Sequence, residues 1–457
     1  AMSAGTMTAL DELLPEFEGL PPLGVRDLRL DSRAIEPGDG FVALAGARTH
    51  GLLHAAEAVR RGAAVVLSEP FEGEPPQLPV PVVVVPHLRE RLPQLALALH
   101  AAPALGLDVV GVTGTNGKTS TVQLTAQALQ RLGRVAGTIG TLGAGLHGQL
   151  VAHERTTPDV LEVHRLLAEL RRAGAQTVAM EVSSHALDQG RVAGVQFDVA
   201  VFTNLSRDHL DYHGSMEAYA AAKASLFAWD SLRAAVINLD DTQGALIAGG
   251  LTERIDLIGF SALGAPSAVL RAGDLRLDAG GLHFQLQYGA ASAQIDSPLL
   301  GRFNVDNLLA VAGVLLALGV GFERVAAVLP WLQPIPGRMN RLGGEAGRPL
   351  VVVDYAHTPD GLEQALASLR QHTAGRLICV FGCGGERDRG ARPPRAAIAE
   401  RLADPVIFPD DNPRSEDGEQ IVADILAGFR VPARIEVERD RAAAISAALG
   451  LAGPGDT

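Results

Sequence analysis

Three kinds of function find little support in what this sequence lacks. Only two cysteines occur, Cys379 and Cys383, too few for a disulfide framework and without the paired spacing of a zinc site. They read as two small residues at the end of a buried strand, in a protein of the reducing cytoplasm. No uninterrupted apolar run reaches the roughly 18 residues of a spanning helix, and no secretory leader opens the chain, so no membrane insertion is expected. Ala1, ahead of Met2, reads as a residue left by tag cleavage. Basic residues are also short: 39 Lys and Arg against 52 Asp and Glu give a formal charge of −13. Duplex affinity comes from clustered cations on phosphates, so no nucleic-acid partner is expected and any phosphate site must be local.

What remains is the composition of an α/β enzyme, 47% hydrophobic and 20% charged. A chain of 457 residues exceeds what one core usually organises, and three domains are expected, at 1–102, 103–334 and 335–457. The first reads as strand, loop, strand, helix and strand (LRLDSR, GDGFVAL, HAAEAVRRG, AAVVLSE), repeated in PVPVVVVP and closed by a helix from Leu88 to about Ala101. From Leu107 near-continuous apolar strands alternate with helices, the pattern of a parallel sheet covered on both faces. After Gly250 the rhythm becomes the alternation of LRLDAGGLHFQLQYG, a hairpin, followed by the long helix of NVDNLLAVAGVLLALG. Pro334, Pro336 and Gly337 mark the second boundary. A new α/β series begins at PLVVVDYA and stops at GPGDT, a turn that should lead into another strand, so residues beyond Thr457 are expected.

The chemistry concentrates at strand ends. GVTGTNGKT (111–119) follows a strand and opens a helix, where backbone N–H groups and the helix dipole favour phosphate. Gly114, Thr115, Asn116, Gly117, Lys118, Thr119 and Ser120 are its phosphate-facing part. Lys118 would reach the β and γ phosphates, and the Thr119 hydroxyl would hold Mg²⁺. Glu181 ends another buried strand, where a carboxylate either holds Mg²⁺ or caps the structure. His209 lies in a segment dense in His and Asp, NLSRDHLDYH, which points it toward a metal. Lys223 shares a helix face with Met216, Tyr219, Leu226 and Phe227. Burial there lowers a lysine pKa and exposes a neutral, nucleophilic amine able to add CO₂ as a carbamate, unless the head snorkels to water.

Taken together, GVTGTNGKT, EVSSHAL, TNLSRDHLDYHG, AAKASLF, GRFNVDN, VVDYAHTPD, VFGCGGERD and DNPRSED resemble signatures of the Mur ligase family over nearly the whole chain. The resemblance implies three α/β domains: a UDP-sugar-binding domain, a central P-loop ATPase domain and a Rossmann-like amino-acid-binding domain. It implies that ATP phosphorylates a substrate carboxylate, an amine attacks the acyl phosphate, and phosphate leaves. The substrates it implies are ATP, UDP-N-acetylmuramoyl-L-alanyl-D-glutamate and meso-diaminopimelate, in peptidoglycan precursor synthesis by a monomer. It implies two Mg²⁺ ions, one at Thr119 and Glu181 and one near His209 and a carbamylated Lys223 (N6-carboxylysine).

The resemblance places Asn304 and Asn307 toward adenine or its ribose, with Arg338 and Asp354 completing the nucleotide contacts. Leu30 and Ser32 match uridine-side positions, and Thr156, Thr157, Ser183, Gln189 and Arg191 match muramoyl-peptide positions. Ala47, Arg48 and Thr49, and Arg155 before the Thr pair, depart from the common pattern. Asp411, Asn412, Pro413 and Arg414 form the motif that selects the amino acid, with Arg387 as a second carboxylate contact. A guanidinium fork at Arg414 suits the far carboxylate of meso-diaminopimelate and repels the ammonium of lysine. The family's later Gly-Lys-Gly-His-Glu segment is not in this chain. Near alternatives are the D-glutamate-adding and D-Ala-D-Ala-adding ligases, more distantly folylpolyglutamate synthetase, and from another class a P-loop kinase or nucleotide switch.

Overall fold

The computed structural model describes residues 7–46, 49–74, 76–100, 106–345, 347–385, 389–431 and 435–457. The expected first boundary, at 102, and the expected helix end at Ala101 fall outside them, as do Ala47, Arg48 and Arg387. The chain folds as two compact units: 1–122, 129–235 and 249–257 form one, and 123–128, 236–248 and 258–457 the other.

The first unit contains a parallel sheet of Leu28–Arg29, Gly40–Ala43, Val65–Ser68 and Val82–Val84 in that order. Its first strand is shorter than LRLDSR suggested. The Asp31 carboxylate accepts from the Arg33 backbone N–H and starts the Ser32–Ala34 turn instead, the usual competition of a short polar side chain with the ladder.

Five neighbouring strands at one end of a second, ten-stranded sheet run in the order Val199–Phe202, Asp108–Thr113, Thr177–Glu181, Ala136–Gly140 and Gly143–Leu146. The first four strands are parallel. Their residues are almost all buried, which is why they read as apolar runs rather than alternation. The last strand is an antiparallel edge that the sequence reading did not anticipate. Helix Val160–Arg172 starts where Asp159 caps the Leu161 and Glu162 N–H groups.

In the second unit the expected hairpin is present: Leu270–Asp278 pairs antiparallel with Gly281–Tyr288, which pairs with Ala291–Ser297. The long helix is Phe303–Ala317. Further on, Asn340–Gly343 pairs with Leu350–Val353, and Cys379–Val380, Val406–Phe408 and Ile435–Val437 form a parallel sheet. Helix Pro359–His372 begins with Pro359 behind a Thr358 cap.

His372, at its end, is buried and doubly bonded. Nε2 accepts from the Gly301 N–H at 2.8 Å and Nδ1 donates to the Asp278 carbonyl at 2.7 Å, which fixes a neutral tautomer. Both cysteines are buried, as expected, and burial pushes the Cys379 thiol up to about 12. Among the described residues no helix is long and apolar enough to cross a membrane.

Candidate active site

The phosphate loop leaves the Asp108–Thr113 strand and enters helix Lys118–Arg131. Gly114 has φ +147°, and a Cβ there would lie 1.8 Å from the Thr203 hydroxyl, so only glycine fits. The loop is braced from the next strand end. Asn204 accepts the Asn116 N–H at 2.9 Å and its carbonyl accepts the Thr115 N–H at 2.8 Å, while the Thr203 hydroxyl donates to the Asn116 carbonyl at 2.6 Å. Lys118 Nζ donates to the Gly114 and Thr115 carbonyls at 2.8 and 2.9 Å, which holds its charge over the loop. Ser120 follows in the first turn of the helix. A helix N-terminus and one ammonium meet at this loop, the features that favour a bound phosphate.

Glu181, only 1% exposed, ends the Thr177–Glu181 strand. Its carboxylate accepts the Thr119 hydroxyl at 3.0 Å, the Thr141 hydroxyl at 3.2 Å and the Thr141 N–H at 2.8 Å. A carboxylate beside two hydroxyls is a set of hard oxygens suited to Mg²⁺. Among the described residues no group of three or more His, Cys, Asp or Glu is arranged to hold a metal. The expected set draws only Glu181 and His209 from those types.

Lys223 lies on helix Met216–Ala224 and is 1% exposed. Nζ donates to the Gly114 carbonyl at 2.8 Å and sits 4.5 Å from the centre of the Tyr219 ring. Burial and the Lys118 charge bring its pKa down to about 6, partly opposed by Asp208. The Tyr219 hydroxyl is 3.1 Å from the Thr115 hydroxyl. His209 has left-handed backbone (φ 52°) and a half-exposed side chain, with its ring 6.0 Å from Tyr219 and 4.9 Å from His185. Tyr219 is therefore the ring that His209 and Lys223 share.

The positions expected to meet the muramoyl peptide form one connected array next to Glu181. Thr157 donates to the Glu181 carbonyl and accepts the Ser183 N–H, while Thr156 meets Thr141 at 3.1 Å. Arg191 donates to the Thr157 carbonyl at 3.0 Å and to the Gln189 amide oxygen, and Gln189 donates to the Tyr212 hydroxyl. Burial and the nearby charge of Arg155 lower the Arg191 pKa, with Asp159 and Tyr212 opposing them. Ser183 caps the Ser184–Asp188 helix. Of the positions expected to meet uridine, Ser32 donates to Glu57 at 2.8 Å and Leu30 packs at the edge of the adjoining core. The Thr49 carbonyl accepts the Gly46 N–H in a local turn.

In the second unit Asn304 and Asn307 are buried and turned into the fold. Asn304 donates to the Leu300 carbonyl at 2.7 Å and accepts from Asn307 at 2.7 Å. Asp354 accepts the Met339 and Ala356 N–H groups at 2.8 and 2.9 Å, fixing the chain that follows the exposed Arg338. Asp411 accepts the Asn412 N–H at 2.8 Å. Asn412 accepts the Arg414 N–H at 3.2 Å, the Pro413 carbonyl accepts the Glu416 N–H, and Arg414 is exposed with φ 53°.

Sequence reasoning assigned no role to Thr141, Thr203, Asn204 or Tyr219. The first three are ordinary strand-end polar residues whose partners, Glu181 and the 115–116 loop, come from distant parts of the chain. Only Tyr219, on the same apolar stripe as Lys223, carried a signal that could have found it.

Comparison with known proteins gives three family matches: Mur ligase family, catalytic domain, over residues 25–100; Mur ligase middle domain over 112–315; and Mur ligase, glutamate ligase domain, over 337–457. The chain is 60% identical over 450 residues to the UDP-N-acetylmuramoyl-L-alanyl-D-glutamate–2,6-diaminopimelate ligase of Xanthomonas campestris, covering 98% of this chain and 90% of that protein. It is 56% identical over 447 residues to the ligase of the same name from Xylella fastidiosa, with 98% and 90% covered. A solved structure of a ligase of that name superposes with a TM-score of 0.76 at 37% identity, covering 99% of this chain and 92% of the other.

Proposed function

The chain belongs to the Mur ligase family, and from that premise we propose that it is the ATP-dependent ligase that joins meso-diaminopimelate to the D-glutamate carboxylate of UDP-N-acetylmuramoyl-L-alanyl-D-glutamate. The relatives of high identity carry that activity in their names over nearly the whole chain. On this reading residues 1–102 take the UDP-sugar, 103–334 hold ATP and 335–457 take the amino acid, in a cytoplasmic enzyme of peptidoglycan precursor synthesis acting as a monomer.

The observation that carries the reading is the buried Lys223 amine 2.8 Å from the Gly114 carbonyl of the phosphate loop. A kinase or nucleotide switch gives no reason for a second, neutral lysine at that place. With a pKa near 6, the amine is mostly unprotonated at neutral pH and able to take up CO₂. The resulting carbamate would offset the Lys118 charge and, with His209, would hold one Mg²⁺. Thr119 and Glu181, whose oxygens are 3.0 Å apart, would hold another.

Bound Mg²⁺ supplies positive charge against the phosphoryl oxygens. The chain's own residues do the rest by position. The Gly114–Thr119 backbone and Lys118 hold the transferring phosphate, and Arg191 with Arg155 faces the acidic dipeptide. Attack by the amine on the acyl phosphate forms the C–N bond, breaks the C–O bond to phosphate and releases a proton. No protein nucleophile is required, so catalysis rests on preorganised charge.

The test is phosphate release from ATP with the UDP-muramoyl dipeptide, with and without meso-diaminopimelate. Sustained release only when both are present supports the ligase; release indifferent to both returns the chain to the P-loop hydrolases and kinases.

A further inference from the structure

Arg414 cannot aim its guanidinium by itself. It is exposed, and its backbone is left-handed, a conformation that an L residue with a long side chain adopts only when neighbours impose it. The restraints lie in the loop's flanks. On one side the Gly385 N–H donates to the Asn412 carbonyl at 2.9 Å, and a Cβ on Gly385 would lie 1.9 Å from the Pro413 carbonyl oxygen. On the other side the Pro413 carbonyl accepts the Glu416 N–H at 3.0 Å, so the position of Glu416 sets the turn that contains Arg414.

Glu416 is itself held by a cation that none of the catalytic chemistry uses. Arg392, at the start of helix Arg392–Leu402, is among the largest fully buried side chains of the protein, 1% exposed. It donates to Glu416 at 3.0 Å and to Asp424, on helix Gly418–Leu426, at 2.8 Å. Arg389 adds a second cation to Glu416 at 3.1 Å. Burial works against the Arg392 charge, but bonds to Asp424 and Glu416 outweigh it and raise its pKa. A buried guanidinium spanning two carboxylates in a rigid fork fixes their separation far better than a surface pair would.

We propose that Arg392 is the positioning residue for Arg414: by clamping Glu416 against Asp424 it fixes the turn that presents the Arg414 fork to the far carboxylate of the amino-acid substrate. Arg392 touches no substrate; it acts through Glu416 and the Pro413 carbonyl. The proposal rests on the reading that Arg414 receives that carboxylate.

The test uses Glu416→Gln, which keeps the size of the side chain but removes its charge, and Arg392→Lys, which keeps the charge but loses the fork. For each, kcat and KM are measured for meso-diaminopimelate, ATP and the UDP-muramoyl dipeptide, and kcat/KM for L-lysine. KM for meso-diaminopimelate should rise at least ~10-fold in both, the order expected when one partner of a buried charge pair is lost. KM for ATP and for the dipeptide should stay within ~3-fold, and the preference for meso-diaminopimelate over lysine should fall with the KM. The double variant should be no worse than the poorer single one, because both break the same link.

Unchanged KM for meso-diaminopimelate would overturn the proposal, as would all three KM values moving together. So would a Glu416→Gln protein that fails to fold, since the pair would then serve the core rather than the turn. Failure of the underlying reading looks different: the wild type itself would show no preference for meso-diaminopimelate over lysine.

Discussion

The Lys223 Nζ lies 2.8 Å from the carbonyl oxygen of Gly114, a residue more than a hundred positions earlier in the chain whose carbonyl also receives Lys118. Two lysines thus meet at one loop carbonyl, and burial together with Lys118 lowers the pKa of Lys223 to about 6. If the neutral amine adds CO₂, Lys223→Ala should lose at least ~100-fold in turnover, comparable to removing one preorganised electrostatic contact. A short carboxylic acid in solution should restore part of it. Enzyme stripped of CO₂ should recover on adding bicarbonate, and at a fixed CO₂ concentration the recovery should quicken as pH rises through about 6 because the unprotonated amine is the reactive form. Recovery independent of bicarbonate, with no carboxylate rescue, would remove the carbamate.

Lys118 is held over the loop by two carbonyls and faces the site where phosphate charge develops. Lys118→Ala should lower phosphate release at least ~100-fold without changing the melting temperature by more than a few degrees. Turnover near the wild-type rate would refute the ATP-site assignment.

His372 gives a pH dependence of stability. Burial lowers its pKa below the ordinary 6.5, with the Arg341 and His283 charges adding to the effect and the Asp278 carbonyl and carboxylate opposing it. The unfolded chain therefore takes up the proton first as pH falls. The contribution of His372 is fully present above about 6.5 and is lost as pH drops through the depressed folded value. Protonation also removes the acceptor for the Gly301 N–H. The melting temperature should fall more steeply between pH 7 and 5 in the wild type than in His372→Gln. Parallel curves would show that His372 does not titrate in that range.

Much of the site could be read from sequence because it sits at strand ends. Runs such as VVGVT and VAMEV are buried on both faces and announce themselves by composition, and the loop or carboxylate that follows is placed by the fold. Lys223 was legible because a cation interrupts an apolar helical stripe. The Gly143–Leu146 edge strand was not, since a glycine-rich run shows neither alternation nor a β-branched cluster. Nor were Thr141 and Asn204, whose partners, Glu181 and the 115–116 loop, lie far off in sequence. Arg392 reads as one more helix-starting arginine until the fold brings Glu416 and Asp424 to it.

The claim that this ligase selects meso-diaminopimelate is tested most directly by competition. The full-length protein is given ATP, UDP-N-acetylmuramoyl-L-alanyl-D-glutamate and equal concentrations of meso-diaminopimelate and L-lysine, and the two tripeptide products are counted by mass. The two amines share the reacting group and its neighbouring carboxylate, so only the far end distinguishes them. There the Arg414 fork gains a partner from one and a second positive charge from the other. Allowing for the exposure of Arg414, a ratio of at least ~10 to 1 for the diaminopimelate product is expected, falling toward parity in Arg414→Ala mainly by loss of that product. Equal amounts from the wild type would contradict the choice of amino acid, and no tripeptide of either kind would contradict the ligase itself.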